Sequence, residues 1–270
     1  MHTLNGFRTV RALGVVLPLL LVASAGCDIA MAEHKAKETS EWKKSYELQP
    51  GGRFEIGNVN GRIQILPGQG NTIEVVATKI GHGMTSEAAK EALGRIEIAE
   101  EVSAGFVKIQ TKMPNRSGSG LFGGGGLQVE YVVHVPAGAE VTASTVNGGV
   151  EVTGLSGKVN TEATNGGIKL RDLTGPVQAS TTNGGVDADL AKLSDAGVKL
   201  EATNGGIKLR LPADSKASIS VRQTNGGIDV VGLTLDATEN SRRRLDARLN
   251  GGGARIDIQG TNGGTELRSR

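Results

Sequence analysis

The residue types that most often carry out catalysis or bind metals are few and scattered in this 270-residue sequence. The four histidines, His2, His34, His82 and His134, show neither a His-x-x-x-His spacing nor a nearby carboxylate partner. That pattern predicts neither a transition-metal site nor histidine-based catalysis. A single cysteine excludes an internal disulfide framework and a cysteine-rich metal site. We therefore expect a protein that is not an enzyme, with no catalytic residues, no metal and no cofactor.

A repeated triplet dominates the second half of the chain. Asn-Gly-Gly occurs seven times, at steps of 18, 18, 21, 21, 25 and 12 residues, beginning at Asn147, Asn165, Asn183, Asn204, Asn225, Asn250 and Asn262. Six and four places before most of these triplets stand small or apolar residues such as Val159 and Thr161, with a polar residue between them. Positions two residues apart lie on the same face of a strand, so each triplet follows a strand with one apolar face.

The repeat predicts an all-β fold, namely a single-stranded β-solenoid, or β-helix, with coils of about 18–21 residues that stack about 4.8 Å apart. Asn-Gly steps tolerate positive φ at tight corners. Stacked asparagine side chains can also hydrogen-bond along the axis. We therefore expect a structural ladder of Asn147, Asn165, Asn183, Asn204, Asn225 and Asn262. The alternative is a surface row of ligand-binding amides.

The outward residue after each triplet alternates in sign in sequence order: Glu151, Lys169, Asp187, Lys208 and Asp229. Parallel stacking in that order would place opposite charges side by side, which stabilises neighbouring strands. Paired charges argue against the rival class, a β-helix enzyme acting on polysaccharides, and no aromatic residue follows Tyr131 to form a sugar platform. A calcium roll would need oxygen ligands at the positions of Lys169 and Lys208.

The sequence divides into four parts. Residues 1–26 are interpreted as a signal peptide, 27–45 as a polar tether, 46–135 as a β-rich N-terminal cap with one short helix at 85–93 and a glycine-rich loop at 115–126, and 136–270 as the solenoid. The run Arg242 to Arg244 and the terminal Arg268 and Arg270 are expected to protect the open end of the solenoid, with a specific anion site as the alternative.

The export signal has Arg8 and Arg11 before an apolar run of 13 residues, which is too short for a spanning helix of about 20 residues. It ends in Ser24-Ala25-Gly26-Cys27, which resembles the lipobox of bacterial lipoproteins. The resemblance implies a lipid on Cys27 that partners the membrane, and Asp28 resembles a signal that retains some lipoproteins in the inner membrane. Cleavage at Ala30-Met31-Ala32 and an unmodified thiol stay open as alternatives.

Net charge bears on the partners. The whole chain carries +2, and removal of residues 1–26 deletes two arginines and no acidic residue, so the mature side-chain charge is +2 − 2 = 0. A neutral chain lacks the electrostatic basis for binding phosphate backbones, and we expect no nucleic-acid partner.

Several segments together are similar to those of a bacterial domain family known as "putative adhesins", whose function is unknown. They are Phe54 to Gly61 (FEIGNVNG), Thr145 to Gly149 (TVNGG), the repeated Thr-Asn-Gly-Gly, Leu211-Pro212-Ala213 and the late Asn250-Gly-Gly-Gly. The resemblance covers about residues 46–268 and implies a β-solenoid domain, often on exported or membrane-tethered proteins. It supplies no catalytic or binding residues to carry over to this chain.

The sequence thus predicts an exported, non-catalytic cell-envelope lipoprotein, anchored at the periplasmic face or the cell surface. Its rigid β-solenoid would present a surface for adhesion or for an unidentified envelope protein or surface ligand. An envelope-stress sensor or scaffold is the alternative, and a polysaccharide-active enzyme is a further one.

Overall fold

The structure is a computed structural model that describes residues 36–113 and 126–270. These residues form twenty-one strands and one helix. The first part contains β1 (Ala36–Glu47), β2 (Arg53–Asn60), β3 (Ile63–Pro67), β4 (Thr72–Gly83), α1 (Ser86–Gly94), β5 (Glu97–Ser103), β6 (Phe106–Lys112) and β7 (Leu127–Val135). The middle part contains β8 (Glu140–Asn147), β9 (Val150–Thr153), β10 (Val159–Asn165), β11 (Ile168–Leu173), β12 (Val177–Asn183), β13 (Val186–Leu190), β14 (Val198–Asn204) and β15 (Ile207–Leu211). The last part contains β16 (Ala217–Asn225), β17 (Ile228–Val231), β18 (Leu235–Asn240), β19 (Arg244–Leu249), β20 (Ala254–Asn262) and β21 (Thr265–Ser269).

The strands assemble into two mixed sheets. Sheet A has the order β1-β4-β7-β3-β9-β11-β13-β15-β21-β17, and sheet B has the order β18-β19-β16-β20-β14-β12-β10-β8-β2-β6-β5. From β8 to β15 the chain alternates between the sheets, placing one strand in sheet B and the next in sheet A. The all-β prediction is confirmed.

Neighbouring repeats pair in parallel and in register. Val159 of β10 lies opposite Val141 on one side and Val177 on the other. In sheet A, Ile168 of β11 likewise lies between two valines of β9 and β13. The apolar positions alternate with polar ones and are buried, whereas the polar positions face solvent. One continuous apolar core therefore fills the space between the sheets.

The parallel stack extends further toward the N-terminus than the sequence boundary at residue 135 suggested. β2 pairs in parallel with β8, and β3 pairs in parallel with β9, so both strands continue the same two sheets. The antiparallel strands lie beyond them: β4 and β1 in sheet A, and β5 in sheet B. Helix α1 packs against β4 and β1, with Thr85 as its N-cap.

The expected tether is wrong over residues 36–45. This segment belongs to β1, which pairs antiparallel with β4 along its whole length, with Trp42 opposite Ala77. Most of its side chains are exposed because β1 is the edge strand of sheet A, while Trp42 packs against the core. An edge strand has a neighbouring strand on one side only, and β1 buries few of its side chains. The polar composition of this segment therefore resembled that of a linker.

The last repeats do not stack in sequence order, which corrects the expected order of the ladder. The C-terminal strands β20 and β21, here called the terminal pair, lie between β14 and β16 in sheet B and between β15 and β17 in sheet A. Ile256 consequently lies between Val198 and Ile219. Strand β19 pairs antiparallel with the other side of β16, and β18 pairs with β19.

This order also corrects the predicted charge column. Glu151, Lys169, Asp187 and Lys208 do follow one another in register. The next residue is Glu266, which forms an ion pair of 3.6 Å with Lys208, and Asp229 lies beyond Glu266. The strict alternation therefore ends with two carboxylates side by side.

None of the helices in the described ranges is long and apolar enough to cross a membrane. The predicted signal peptide at 1–26, the predicted lipidation residue Cys27, the predicted sorting residue Asp28 and all but the last residue of the predicted glycine-rich loop lie outside the described residues.

Candidate functional site

The asparagine ladder crosses sheet B from strand to strand, because each of its asparagines is the last residue of a parallel strand. Six asparagines each donate from Nδ2 to the Oδ1 of the next asparagine at 2.7–2.9 Å, and Asn60 at the end of the row accepts from Asn147 and donates to the carbonyl oxygen of Leu127. In spatial order the members are Asn60, Asn147, Asn165, Asn183, Asn204, Asn262 and Asn225. All six predicted residues are brought together, and Asn60 is an additional member that the Asn60-Gly61 dipeptide could have indicated. Asn250, at the remaining triplet, instead donates to the carbonyl groups of Ala213 and Ser215.

The glycine after each ladder asparagine brings neighbouring backbones into close contact. A Cβ on Gly166 would lie 1.7 Å from the carbonyl oxygen of Gly148, and a Cβ on Gly205 would lie 1.9 Å from that of Gly184. Only glycine fits such a column. The triplet is thus explained by two features of the corner: the close contact between neighbouring backbones, which requires glycine, and the hydrogen bonds between the asparagine side chains.

A row of threonines lies beside the ladder on the outer face of sheet B. Each residue immediately precedes a ladder asparagine, each is exposed, and none has a side-chain hydrogen bond to another described residue; they are Thr164, Thr182, Thr203, Thr261 and Thr224. Parallel strands lie about 4.8 Å apart, so the hydroxyl groups form a regular row along the stack. Each hydroxyl group can both donate and accept a hydrogen bond at this surface.

The distal part of this row forms the floor of a groove of about 720 Å³. Ten exposed or half-buried polar side chains line it: Ser180, Glu201, Thr203, Arg222, Thr224, Glu239, Arg243, Arg244, Gln259 and Thr261. The turn between β18 and β19 forms one wall. We take this groove, here called the threonine groove, as the candidate functional site.

Most charges around the threonine groove are paired within the protein. Arg222 lies 3.3 Å from Asp246, and Arg244 lies 3.6 Å from Glu239. The hydrogen bond from Ser220 and the nearby Arg222 hold the pKa of Asp246 below its usual range, against the effect of burial. Arg243 has no ion-pair partner within 36–113 and 126–270, which leaves one positive charge at the wall.

A second charged cluster lies on the outer face of sheet A. Asp187 accepts a hydrogen bond from Arg171 at 2.5 Å and lies 3.3 Å from Arg210. Burial would raise the pKa of Asp187, but the hydrogen bond and the positive charges together lower it. The same contact with Asp187 raises the pKa of Arg171. This cluster ties three adjacent strands together and offers no unpaired catalytic group.

The two histidines among the described residues, His82 and His134, do not line the threonine groove. His134 is a half-buried residue of β7, opposite Leu66, and His82 lines a separate groove near Arg62 and the corner glycines. Among the described residues, no three histidine, cysteine or acidic side chains are grouped closely enough to hold a metal ion.

Together, the two sheets and the ladder of amides define an all-β protein built on parallel, in-register strand repeats. Residues 35–268 match the family described as Toastrack DUF4097, and the chain belongs to that family. No curated protein matches the sequence.

The solved structures that are similar to the chain include two proteins named for adhesion. One is of a "putative cell adhesion protein" from Clostridium sporogenes, with 12% identity, a TM-score of 0.49 and coverage of 86% of this chain and 100% of that one. The other is of a "putative adhesin" from Bacteroides fragilis, with 11% identity, a TM-score of 0.39 and coverage of 86% and 97%. Both are too distant to bear on function.

Proposed function

We propose that this protein is a non-catalytic, lipid-anchored protein of the bacterial cell envelope. Exported and held by a lipid on Cys27 at the extracytoplasmic side of the membrane, it presents a stiff β-solenoid for adhesion or for contact with envelope components. The observation that carries the proposal is the free row of threonine hydroxyls on the outer face of sheet B, which ends in the threonine groove.

The solenoid interpretation is supported by the register of the strands. Val159 pairs with residues 18 positions away on both sides, and Val198 pairs with a residue 21 positions before it, which are the steps of the triplet repeat. Strand pairs that repeat at these steps correspond to coils stacked along one axis. The N-terminal antiparallel strands and α1 then form the cap.

The binding role is supported by the chemistry of the outer face. Threonine hydroxyls both donate and accept hydrogen bonds, and their β-branched side chains hold few rotamers. A row with fixed spacing therefore suits an extended, hydroxylated or weakly acidic polymer that lies along the stack, while Arg243 supplies one positive charge at the end. Such a surface binds without any reacting group.

The non-catalytic role is supported by the state of the carboxyl groups. The pKa values of Asp187 and Asp246 are lowered, so both stay ionised at neutral pH. A general acid at that pH requires a raised pKa, and both groups are instead ion-paired with arginines.

The test uses the chain from residue 28 onward and insoluble envelope polymers prepared from bacterial cells, including peptidoglycan and surface polysaccharide. One variant changes Thr203, Thr224 and Thr261 to Val, which removes the hydroxyls and keeps the branched shape. The control variant changes Thr142, Thr153 and Thr234 to Val, three threonines outside the groove lining.

We expect the native chain and the control variant to co-sediment with at least one polymer, and the groove variant to remain in solution. Equal sedimentation of the two variants would reject the groove as the binding surface. Absence of any binding would reject the proposed function, and release of soluble fragments from a polymer would show that the protein is an enzyme.

A further inference from the structure

The terminal pair occupies a slot whose two sides come from earlier parts of the chain. In sheet B the slot lies between β14 and β16, and in sheet A it lies between β15 and β17. The terminal pair is bonded on both sides. The amide of Gly205 donates to the carbonyl oxygen of Asn262 at 2.8 Å, and the amide of Gly263 donates to that of Asn225 at 3.0 Å.

These contacts depend on the sequence of the terminal pair and on its register. The Asn262 side chain donates to Asn204 and accepts from Asn225. Nothing in the contacts requires that the slot and the pair belong to the same molecule. An identical pair from a second copy would make the same hydrogen bonds.

The covalent link to the rest of the fold is short and rich in glycine. Asn250 to Gly253 cross over the start of β16, and Asn250, Gly251 and Gly252 have φ values of 51°, 84° and 88°. Glycine adopts an extended backbone as readily as these positive-φ conformations. Four extended residues span about 13 Å. Two copies that meet where this link crosses the start of β16 could therefore exchange their terminal pairs.

The slot residues are also compatible with a state in which the terminal pair has left. The sequence repeat would then stack β16 and β17 directly on β14 and β15, which would place Asp229 opposite Lys208. In the occupied slot, Asp229 instead lies beside Glu266, and these like charges oppose each other. Release of the terminal pair therefore exchanges the Lys208–Glu266 ion pair for one between Lys208 and Asp229, and it removes the repulsion between Asp229 and Glu266.

The side chain of Gln223 favours reoccupation. It packs over Gly260, where a Cβ would lie 2.2 Å from Gln223 Oε1, and it donates a hydrogen bond to Thr265. In the directly stacked state Gln223 would face Ala202 and meet its Cβ. When the slot is empty, the Gln223 side chain therefore still fits the terminal pair, but it does not fit direct stacking of β16 on β14.

From these relationships we infer that the slot is an interaction site for a second copy of this chain, in which two molecules exchange their terminal pairs. Exchange of an identical element is a direct route from monomer to dimer, because no new interface has to evolve inside the core. Each exchanged unit retains the ladder, the core and the threonine row. The dimer meets at the edge formed by residues 212–216 and 250–253.

Exchange can be detected with single cysteines, because the chain from residue 28 onward contains none. Glu201 on β14 lies directly opposite Gln259 on β20, and both side chains face outward. Neighbouring strands place their Cα atoms about 4.8 Å apart, within the range of a disulfide. Chains with Glu201→Cys are mixed with chains with Gln259→Cys, unfolded in urea, refolded together at high concentration and oxidised.

The matched control mixes Glu201→Cys with Ser180→Cys chains. Ser180 and Glu201 lie opposite each other on β12 and β14, which stay within one molecule whether or not the terminal pair exchanges. A double variant, Glu201→Cys with Gln259→Cys, reports the register because it should form its disulfide within a monomer.

We expect a disulfide-linked heterodimer of Glu201→Cys and Gln259→Cys chains, identified by mass spectrometry of the joined peptides, in several-fold excess over the control heterodimer. Equal yields in both mixtures would indicate random collision and overturn the inference. Absence of the heterodimer, when the double variant forms its internal disulfide, would also overturn it.

Discussion

Asn262 donates a hydrogen bond from its side-chain amide to Oδ1 of Asn204 at 2.8 Å, although 58 residues separate them along the chain. Asn225, which follows Asn204 by only 21 residues, lies one step further and bonds to Asn262. The chain therefore completes its last full repeat by returning into the stack. Integrity of the stack near its C-terminal end depends on the final residues of the sequence.

The ladder contributes to stability through its central members. Changing Asn183 to Ala removes two side-chain hydrogen bonds, to Asn165 and from Asn204. A typical hydrogen bond contributes about 1 kcal/mol, and both of these are exposed, so we expect a loss of about 1–2 kcal/mol in the free energy of unfolding. Urea unfolding followed by circular dichroism measures it. Thr182→Ala changes the adjacent exposed residue and should have little effect; equal losses would contradict the role of the ladder.

The glycine column should tolerate no side chain within the stack. Gly166→Ala would place a Cβ 1.7 Å from a backbone oxygen, and neither strand can move without losing its register. We expect a loss of about 3 kcal/mol or more, because overpacking in a tight core costs on this scale. Gly227→Ala is the matched control, since it belongs to the same triplet motif but has open space around its Cβ. A stable Gly166→Ala variant would contradict the packing described above.

Much of this architecture could be predicted from the sequence because the repeat has two independent periods. Alternation of apolar and polar residues fixed the faces of strands such as β10, and the triplet spacing aligned Val159 with Val177. The six ladder residues followed from the same spacing. Asn60 was missed because only its Asn-Gly step remains of the triplet.

The order of the last strands could not be predicted in the same way. A repeat specifies that Asn262 can stack on a similar residue but not which one, since Asn204 and Asn225 are equivalent in local sequence. The choice depends on a contact between distant residues, the fit of Gln223 over Gly260. The threonine groove also went unpredicted, because its floor and the wall formed by the β18–β19 turn come from segments that lie far apart in the sequence.

The ion pairs of Asp187 should make stability depend on pH in the acidic range. Because the folded state lowers the pKa of this carboxyl group, its stabilising effect is complete above the unfolded pKa of about 3.9 and is lost as the pH falls through the lower folded value. We expect Asp187→Asn to lose about 1 kcal/mol at neutral pH.

The difference between the native chain and Asp187→Asn should shrink from about pH 4 downward, as seen in urea midpoints measured over the acidic range. Asp214→Asn serves as a control, since Asp214 is exposed and has no ion pair with a described residue. A difference for Asp187→Asn that stays constant with pH would contradict the ion-pair explanation.

The proposed lipid anchor on Cys27 has a direct genetic test. Changing Cys27 to Ser in the full chain removes the only thiol that can carry the lipid. If the chain is held by that lipid, the variant should move from the membrane fraction to the soluble extracytoplasmic fraction, measured by immunoblotting. Unchanged membrane association would reject lipidation of Cys27. Cleavage after Ala32 in both proteins, read by N-terminal sequencing, would support the ordinary signal peptidase alternative.

The insertion of the terminal pair predicts an energetic coupling between Gln223 and Gly260. Gly260→Ala alone should destabilise the protein by about 1–3 kcal/mol, because its Cβ would meet a glutamine side chain that is almost fully buried. Gln223→Ala alone should also destabilise it, since it leaves a cavity and an unpaired Thr265 hydroxyl. In the double variant the alanine at 260 fills part of the space that Gln223 left, so its loss should be smaller than the sum of the two single losses. Urea unfolding of the four proteins gives the coupling. Strictly additive losses would mean that β20 does not lie beside β16, and the stack would then follow sequence order.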